Sequence, residues 1–185
     1  MISAGDFVKG TTFKLDGDIC QVQQFQHVKP GKGPAFMKIK YRNLNTDSII
    51  EDTFNPNTKY EPVFLEYREM SYIYTDGTFY YFMDNDTYEQ IPIEARFIGE
   101  QLDFLTEGMD CTITFAEGKV IDVKLPIFVV LEVTKAAPGV KGNTASTANK
   151  DAVVETGAKI KVPLFVDKGD KIKIDTRTGE YIERA

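Results

Sequence analysis

Thiol and imidazole side chains are scarce in this 185-residue chain. The only histidine is His27, and the only cysteines are Cys20 and Cys111. A thiol–imidazole dyad needs its two groups within hydrogen-bond reach. Cys20 and His27 fall in one predicted strand, about 23 Å apart if it is fully extended, so they do not form one. One histidine and two scattered cysteines are also too few for a zinc site. With no CxxC pair, both thiols are expected to be buried or partly buried and free.

Asp84, Asp86 and Glu89 in MDNDTYE bring carboxylates together as a calcium loop would. The spacing and glycine of an EF-hand are missing, so a solvated acidic turn is expected instead. No GxGxxG or GxxxxGK[ST] phosphate cradle occurs. Gly31-Lys32-Gly33 lacks both the following Ser/Thr and a helix whose amides would face phosphate. Phe79-Tyr80-Tyr81-Phe82 could stack bases, but it lies in the acidic part of the chain and reads as core and interface packing. No catalytic residue, metal ligand or cofactor is assigned. The chain reads as a binding protein rather than an enzyme.

The most distinctive group is then a single amine. Lys32 is the centre of Pro30-Gly31-Lys32-Gly33-Pro34, which reads the same in both directions. Glycines on each side let the chain turn without a Cβ penalty, and prolines outside them stiffen the arms. Lys29, Lys32, Lys38, Lys40 and Arg42 lie between positions 29 and 42, a span with no acid. A lysine amine is protonated at neutral pH, suited to phosphate or ribose and unsuited to act as a base without desolvation. The expectation is an exposed basic probe for a polyanion, RNA above all.

The elements that must hold this probe are two strands. On the outgoing side Met37, Ile39 and Tyr41 alternate with Lys38, Lys40 and Arg42, a period of two that puts apolar residues inward and cations outward. On the incoming side Ile19, Val22, Phe25 and Val28 make an imperfect strand. A hairpin of this length could carry Lys32 roughly 15 Å from the domain body.

The rest of the chain also reads as short strands joined by Gly, Asp, Asn and Pro turns, the pattern of several small all-β units. Residues 1–64 fit an SH3-like barrel. Residues 65–127 hold a strong Asp76-Gly77 hairpin, a helix candidate over Glu94–Leu105 and two further strands, as an OB-fold would. Residues 128–185 contain a β-rich run from Phe128, an exposed loop over Lys135–Lys150, alternating strands at Lys159–Val166 and Lys171–Ile174, and a closing strand Glu180–Glu183. Net charge is −6 overall. It is uneven, because residues 65–127 hold thirteen acids against four bases while the flanking thirds are slightly positive, so the two ends are free to meet phosphate. The N-terminus lacks a signal-peptide pattern, and the longest apolar stretch is too short to span a bilayer. A cytoplasmic protein is the expectation.

FQHVKPGKGPAF, YIYTDGTFYYFMDNDTYEQ, PGVKGNTAS and the C-terminal run ETGAKIKVPLFVDKGDKIKIDTRTGEYIERA together resemble bacterial elongation factor P over essentially the whole chain. The resemblance implies three β-barrel domains, an SH3-like (KOW-like) one over 1–64 and two OB-folds over 65–127 and 128–185, arranged as an L. It implies binding to the ribosome between the peptidyl and exit sites when consecutive prolines stall peptide-bond formation. Lys32 then reaches the acceptor end of the prolyl peptidyl-tRNA, with Pro30, Gly31, Gly33 and Pro34 shaping the tip and Lys29, Lys38, Lys40 and Arg42 adding RNA contacts.

Gly142-Asn143-Thr144 matches the family's Gly-Asp-Thr segment at the exit-site mRNA codon, with Asn in place of Asp. Tyr181 and Arg184 match C-terminal positions tied to function. Other implied partners are ribosomal RNA, a ribosomal stalk protein and an enzyme that modifies Lys32; a monomer is implied, and no membrane. Because Pro34 stiffens the tip, Lys32 is expected to work without a covalent extension. An elongation-factor-P-like paralogue and a general OB-type RNA-binding module are the competing readings.

Overall fold

Alternation of buried and exposed side chains builds almost everything in the computed structural model, which describes residues 1–138 and 148–185. The strands are β1 (Ile2–Ser3), β2 (Thr12–Leu15), β3 (Asp18–Val28), β4 (Phe36–Asn43), β5 (Ile49–Phe54), β6 (Lys59–Tyr60), β7 (Leu65–Thr75), β8 (Phe79–Asp84), β9 (Gln90–Glu94), β10 (Asp110–Ala116), β11 (Lys119–Lys124), β12 (Phe128–Ala136), β13 (Asn149–Val154), β14 (Lys159–Pro163), β15 (Lys171–Asp175) and β16 (Glu180–Arg184). The expected all-β class is what the chain adopts.

Two compact units emerge. The first holds Met1–Tyr67 with Thr114–Ile121, and the second holds Arg68–Ile113 with Asp122–Ala185. In the first, β2-β3-β4-β5 form an antiparallel sheet and β1 pairs with β6. Its interior is aromatic: Phe7 and Phe13 have centroids 4.6 Å apart, and Tyr41, Phe54 and Tyr60 ring them. Phe7 and Phe13 are almost fully buried, each worth about 1.5–3 kcal/mol on transfer from water. This cluster anchors the root of the hairpin, because Met37 on β4 stands opposite Phe54 on β5.

The remaining two sheets run β11-β10-β7-β8-β9 and β14-β13-β12-β15-β16. In the latter the edge strands β14 and β16 come into contact, so the sheet curls toward a barrel over Val129, Leu131, Val133, Ile160, Val162, Ile172 and Ile174. The Asp76-Gly77 hairpin forms between β7 and β8, with Gly77 at φ +91° and the Asp76 carboxylate accepting from the amides of Thr78 and Phe79.

The expected helix over Glu94–Leu105 is not continuous. α1 (Ala95–Ile98) stops where Gly99 takes φ 64° and ψ −141°, and a 3-10 helix continues over Gly99–Phe104. Glycine reaches that conformation without strain, which ends an α-helix the apolar spacing alone would have carried on. Gln101 stitches this corner: its amide donates to the carbonyls of Ile98 and Val123 and accepts from the amide of Leu125.

Candidate functional site

The long hairpin of β3 and β4 is built from residues that cannot all face one core. β3 pairs with β4 from Cys20↔Asn43 to Val28↔Phe36, with a bulge between Val22 and Gln24. The bulge adds one residue to β3, so Val22 and then Phe25 stand on the face of Tyr41, Ile39 and Met37. A bulge of this kind inserts an unpaired residue and increases local twist. It accounts for the three-residue step from Val22 to Phe25, whereas Val28, opposite Phe36, lies on the other face with Lys38. Ile19 departs for another reason, since it packs with Val63 and Ala116 rather than with the aromatic cluster.

Between Val28 and Phe36 seven residues, 29–35, form the tip, and all are exposed. Neither Lys29 nor Lys32 has a hydrogen bond or ion pair to any described residue. The two tip glycines are not equivalent. Gly33 has φ +100°, whereas Gly31 stays outside the left-handed region; an added Cβ would meet nothing within 4 Å at either. Only Gly33 uses the conformational freedom the sequence suggested for both.

The shaft is less basic in space than in sequence. β5 runs alongside β4 and sets Glu51 opposite Lys40 and Asp52 opposite Ile39. Lys38 pairs with Glu51 at 2.9 Å, and Arg42 pairs with Asp47. Lys29, Lys32 and Lys40 remain uncommitted among the described residues. The acids lie five or more positions beyond the basic run, so only the strand pairing reveals them.

Elsewhere, the expected solvated acidic turn is half right. Asp86 and Glu89 are exposed, but Asp84 is buried. Its carboxylate accepts from the amides of Asp86 and Thr87 at 2.8 and 3.1 Å, and those two bonds hold it below the usual carboxylate range. The carboxylate folds the turn. No group of three or more metal-ligating side chains that could hold an ion occurs among the described residues.

Cys20 and Cys111 are free and buried, and burial pushes their thiols up to about 11 and about 12. Phe82 is a core residue, while Tyr81 stacks on Tyr74 at 4.5 Å and donates to Asp76. Tyr181 is half-buried on β16. Arg184 lies 3.9 Å from Asp170 and 5.4 Å from the Phe165 ring centroid. Gly142, Asn143 and Thr144 lie outside the described residues. The sequence reading passed over Phe25 and His27 as a pair; their rings meet edge to face at 6.1 Å, and both are exposed.

Three family models account for nearly the whole chain: "Elongation factor P (EF-P) KOW-like domain" over residues 3–60, "Elongation factor P (EF-P) OB domain" over 65–123 and "Elongation factor P, C-terminal" over 129–184. Curated proteins called elongation factor P from Finegoldia magna, Acetivibrio thermocellus and Clostridioides difficile are 58%, 55% and 52% identical over 184 residues, covering 100% of both chains in each case. The chain belongs to the elongation factor P family. Elongation factor P proteins are translation factors, not enzymes. Among solved structures, eukaryotic translation initiation factor 5A from Methanococcus jannaschii matches with a TM-score of 0.52 at 22% identity, covering 66% of this chain and 94% of that one; that likeness is one of fold. No helix of the described residues is long and apolar enough to cross a membrane.

Proposed function

We propose that this chain binds the ribosome between the peptidyl and exit sites and restores peptide-bond formation at consecutive prolines by setting Lys32 against the acceptor end of the prolyl peptidyl-tRNA. The observation that carries this reading is the tip itself: seven exposed residues ending in an amine that no described residue engages. An amine so placed can hold a phosphate or ribose. Among the described residues it has no hydrogen-bonded or ion-paired acid or base with which to exchange a proton, so its contribution is positional. Fixing the acceptor end lowers the entropic part of the barrier for a constrained nucleophile.

The same reading gives the chain three domains, over 1–64, 65–127 and 128–185, working as a cytoplasmic monomer. Lys29 and Lys40 add RNA contacts beside Lys32, while Lys38 and Arg42 would exchange their present acids for phosphate. Gly142, Asn143 and Thr144 face the exit-site codon, and Tyr181 and Arg184 belong to the C-terminal contact. With Pro34 limiting the loop on the outgoing side, Lys32 acts bare, without the product of a modifying enzyme.

A reconstituted translation system reading a three-proline reporter tests this. Wild type is expected to relieve the stall, and Lys32→Ala to lose most of that relief while folding normally. Rescue by the alanine variant at the wild-type rate would overturn the assignment of Lys32. An intact-mass measurement on protein from its native host showing a fully extended Lys32, with activity lost when the extension is absent, would overturn the bare-lysine reading.

A further inference from the structure

The hairpin has two chemically different faces. Residues directly opposite in an antiparallel pair share a face, so Gln24 with Lys40 and Gln26 with Lys38 form one side, and Phe25 with Ile39 and His27 with Met37 form the other. Ile39 and Met37 are fully buried, yet Phe25, beside Ile39, is 40% exposed. The core face of the barrel therefore continues onto the protruding hairpin as an aromatic pair open to solvent. The edge-to-face contact with His27 holds the Phe25 ring and leaves part of its surface free.

We propose that Phe25 and His27 form a stacking seat for one unpaired nucleotide of the RNA that Lys32 engages. The inference rests on the RNA reading of the hairpin given above. Strand rise puts Phe25 about 10 Å below Val28, where the tip loop begins, within one continuous single-stranded segment. Unpaired RNA offers its bases to aromatic faces, with phosphates following on nearby cations. Uncommitted amines lie toward the tip, at Lys29 and Lys32, while Lys40, toward the body, belongs with Gln24 to the opposite face. The acid in the same row, Asp52, is one strand beyond Ile39 and caps the amide of Thr53. An exposed ring with two free cations just beyond it, toward the tip, suits a base attached to phosphates better than it suits a protein surface.

The test compares Phe25→Leu with Phe25→Tyr in binding to ribosomes stalled on the three-proline reporter. Leucine keeps apolar cover over Ile39 and removes the ring; tyrosine keeps the ring. Leucine is expected to weaken binding about 5- to 100-fold, as loss of one base stack does, and tyrosine to stay within about threefold of wild type. A benzophenone amino acid placed at position 25 in the otherwise native chain is expected to crosslink to RNA. Equal binding by the leucine variant, or crosslinking to ribosomal protein alone, overturns the stacking seat while leaving the role of Lys32 standing. Failure of wild type itself to bind the stalled ribosome overturns the RNA reading and the seat with it.

Discussion

Replacing Lys150 by methionine is expected to stabilise the C-terminal barrel. Lys150 lies on β13 opposite the fully buried Val162. Its side chain is 4% exposed, and its amine has no hydrogen-bond partner among the described residues. The nearest charge is Asp167 Oδ1 at 3.5 Å, on a side chain that is 81% exposed. At that separation the attraction is worth roughly 5 kcal/mol with an effective dielectric of about 20. Taking an ammonium out of water costs several kcal/mol even after relaxation. The two terms nearly cancel, so the pair contributes little net stability, while a methionine would bury a similar volume with no charge to desolvate.

Lys150→Met is therefore expected to stabilise by about 1–2 kcal/mol, within the range seen when buried pairs become apolar. Asp167→Asn, which strands the amine, should destabilise by about 1–3 kcal/mol, the cost of leaving a buried donor unsatisfied. Added to a chain that already carries Lys150→Met, it should have almost no effect, since the two sites couple only through that charge. Native-state hydrogen exchange at the β13 and β14 amides reads this barrel alone, which suits a chain without tryptophan. A loss of more than about 1 kcal/mol of protection in Lys150→Met would refute the argument, for it would mean that the amine is well satisfied where it lies.

At the tip, Gly33→Ala forces a Cβ into φ +100° at a cost of about 1–2 kcal/mol and should impair relief of the proline stall, whereas Gly31→Ala should be tolerated; the reporter assay separates them. Acid should unfold the chain through carboxylates held low in the folded state: Asp76 by the amides of Phe79 and Thr78, Asp84 by those of Asp86 and Thr87, Asp110 by the Ser71 hydroxyl, and Asp175 by the Arg177 side chain. Folded values below the unfolded ones mean that this stability is complete above about pH 4 and is lost as pH falls through the folded values. Circular dichroism against pH should show the loss, and Asp84→Asn should flatten part of it. Cys20 and Cys111, raised to about 11 and about 12, should resist a thiol reagent at about pH 8, near the ordinary thiol value, until denaturant is added, after which both react; fast labelling of the native chain would contradict their burial.

Strand and turn positions were legible wherever local chemistry decides them. Asp76-Gly77 announced its hairpin, and Met37-Lys38-Ile39-Lys40-Tyr41 announced one buried and one open face. What escaped reading depends on partners distant in sequence. Asp84 looked like a surface acid until its carboxylate was seen closing on two amides beneath the surface. The Val22–Gln24 bulge was visible only as a broken period, since one inserted residue moves every following side chain to the other face. The neutralisation of Lys38 and Arg42 needed the register of β5 and the turn that leads into it. Gly99 was passed over because the apolar period runs straight through it.

The register of β5 has a measurable consequence for how salt acts on binding. Each phosphate a cation neutralises releases condensed counterions, and the logarithm of affinity falls with the logarithm of salt by about 0.7 per contact on single-stranded nucleic acid. Lys38 and Arg42 already hold Glu51 and Asp47, so contact through the shaft mostly trades one anion for another and frees few ions. The salt slope contributed by the hairpin should then follow three lysines, 29, 32 and 40, at about 2 rather than the roughly 3.5 that five cations would give. On the proposed RNA reading, the acids of β5 and of the turn before it thus leave the tip lysines and one shaft lysine, Lys40, to supply the hairpin's ionic attraction.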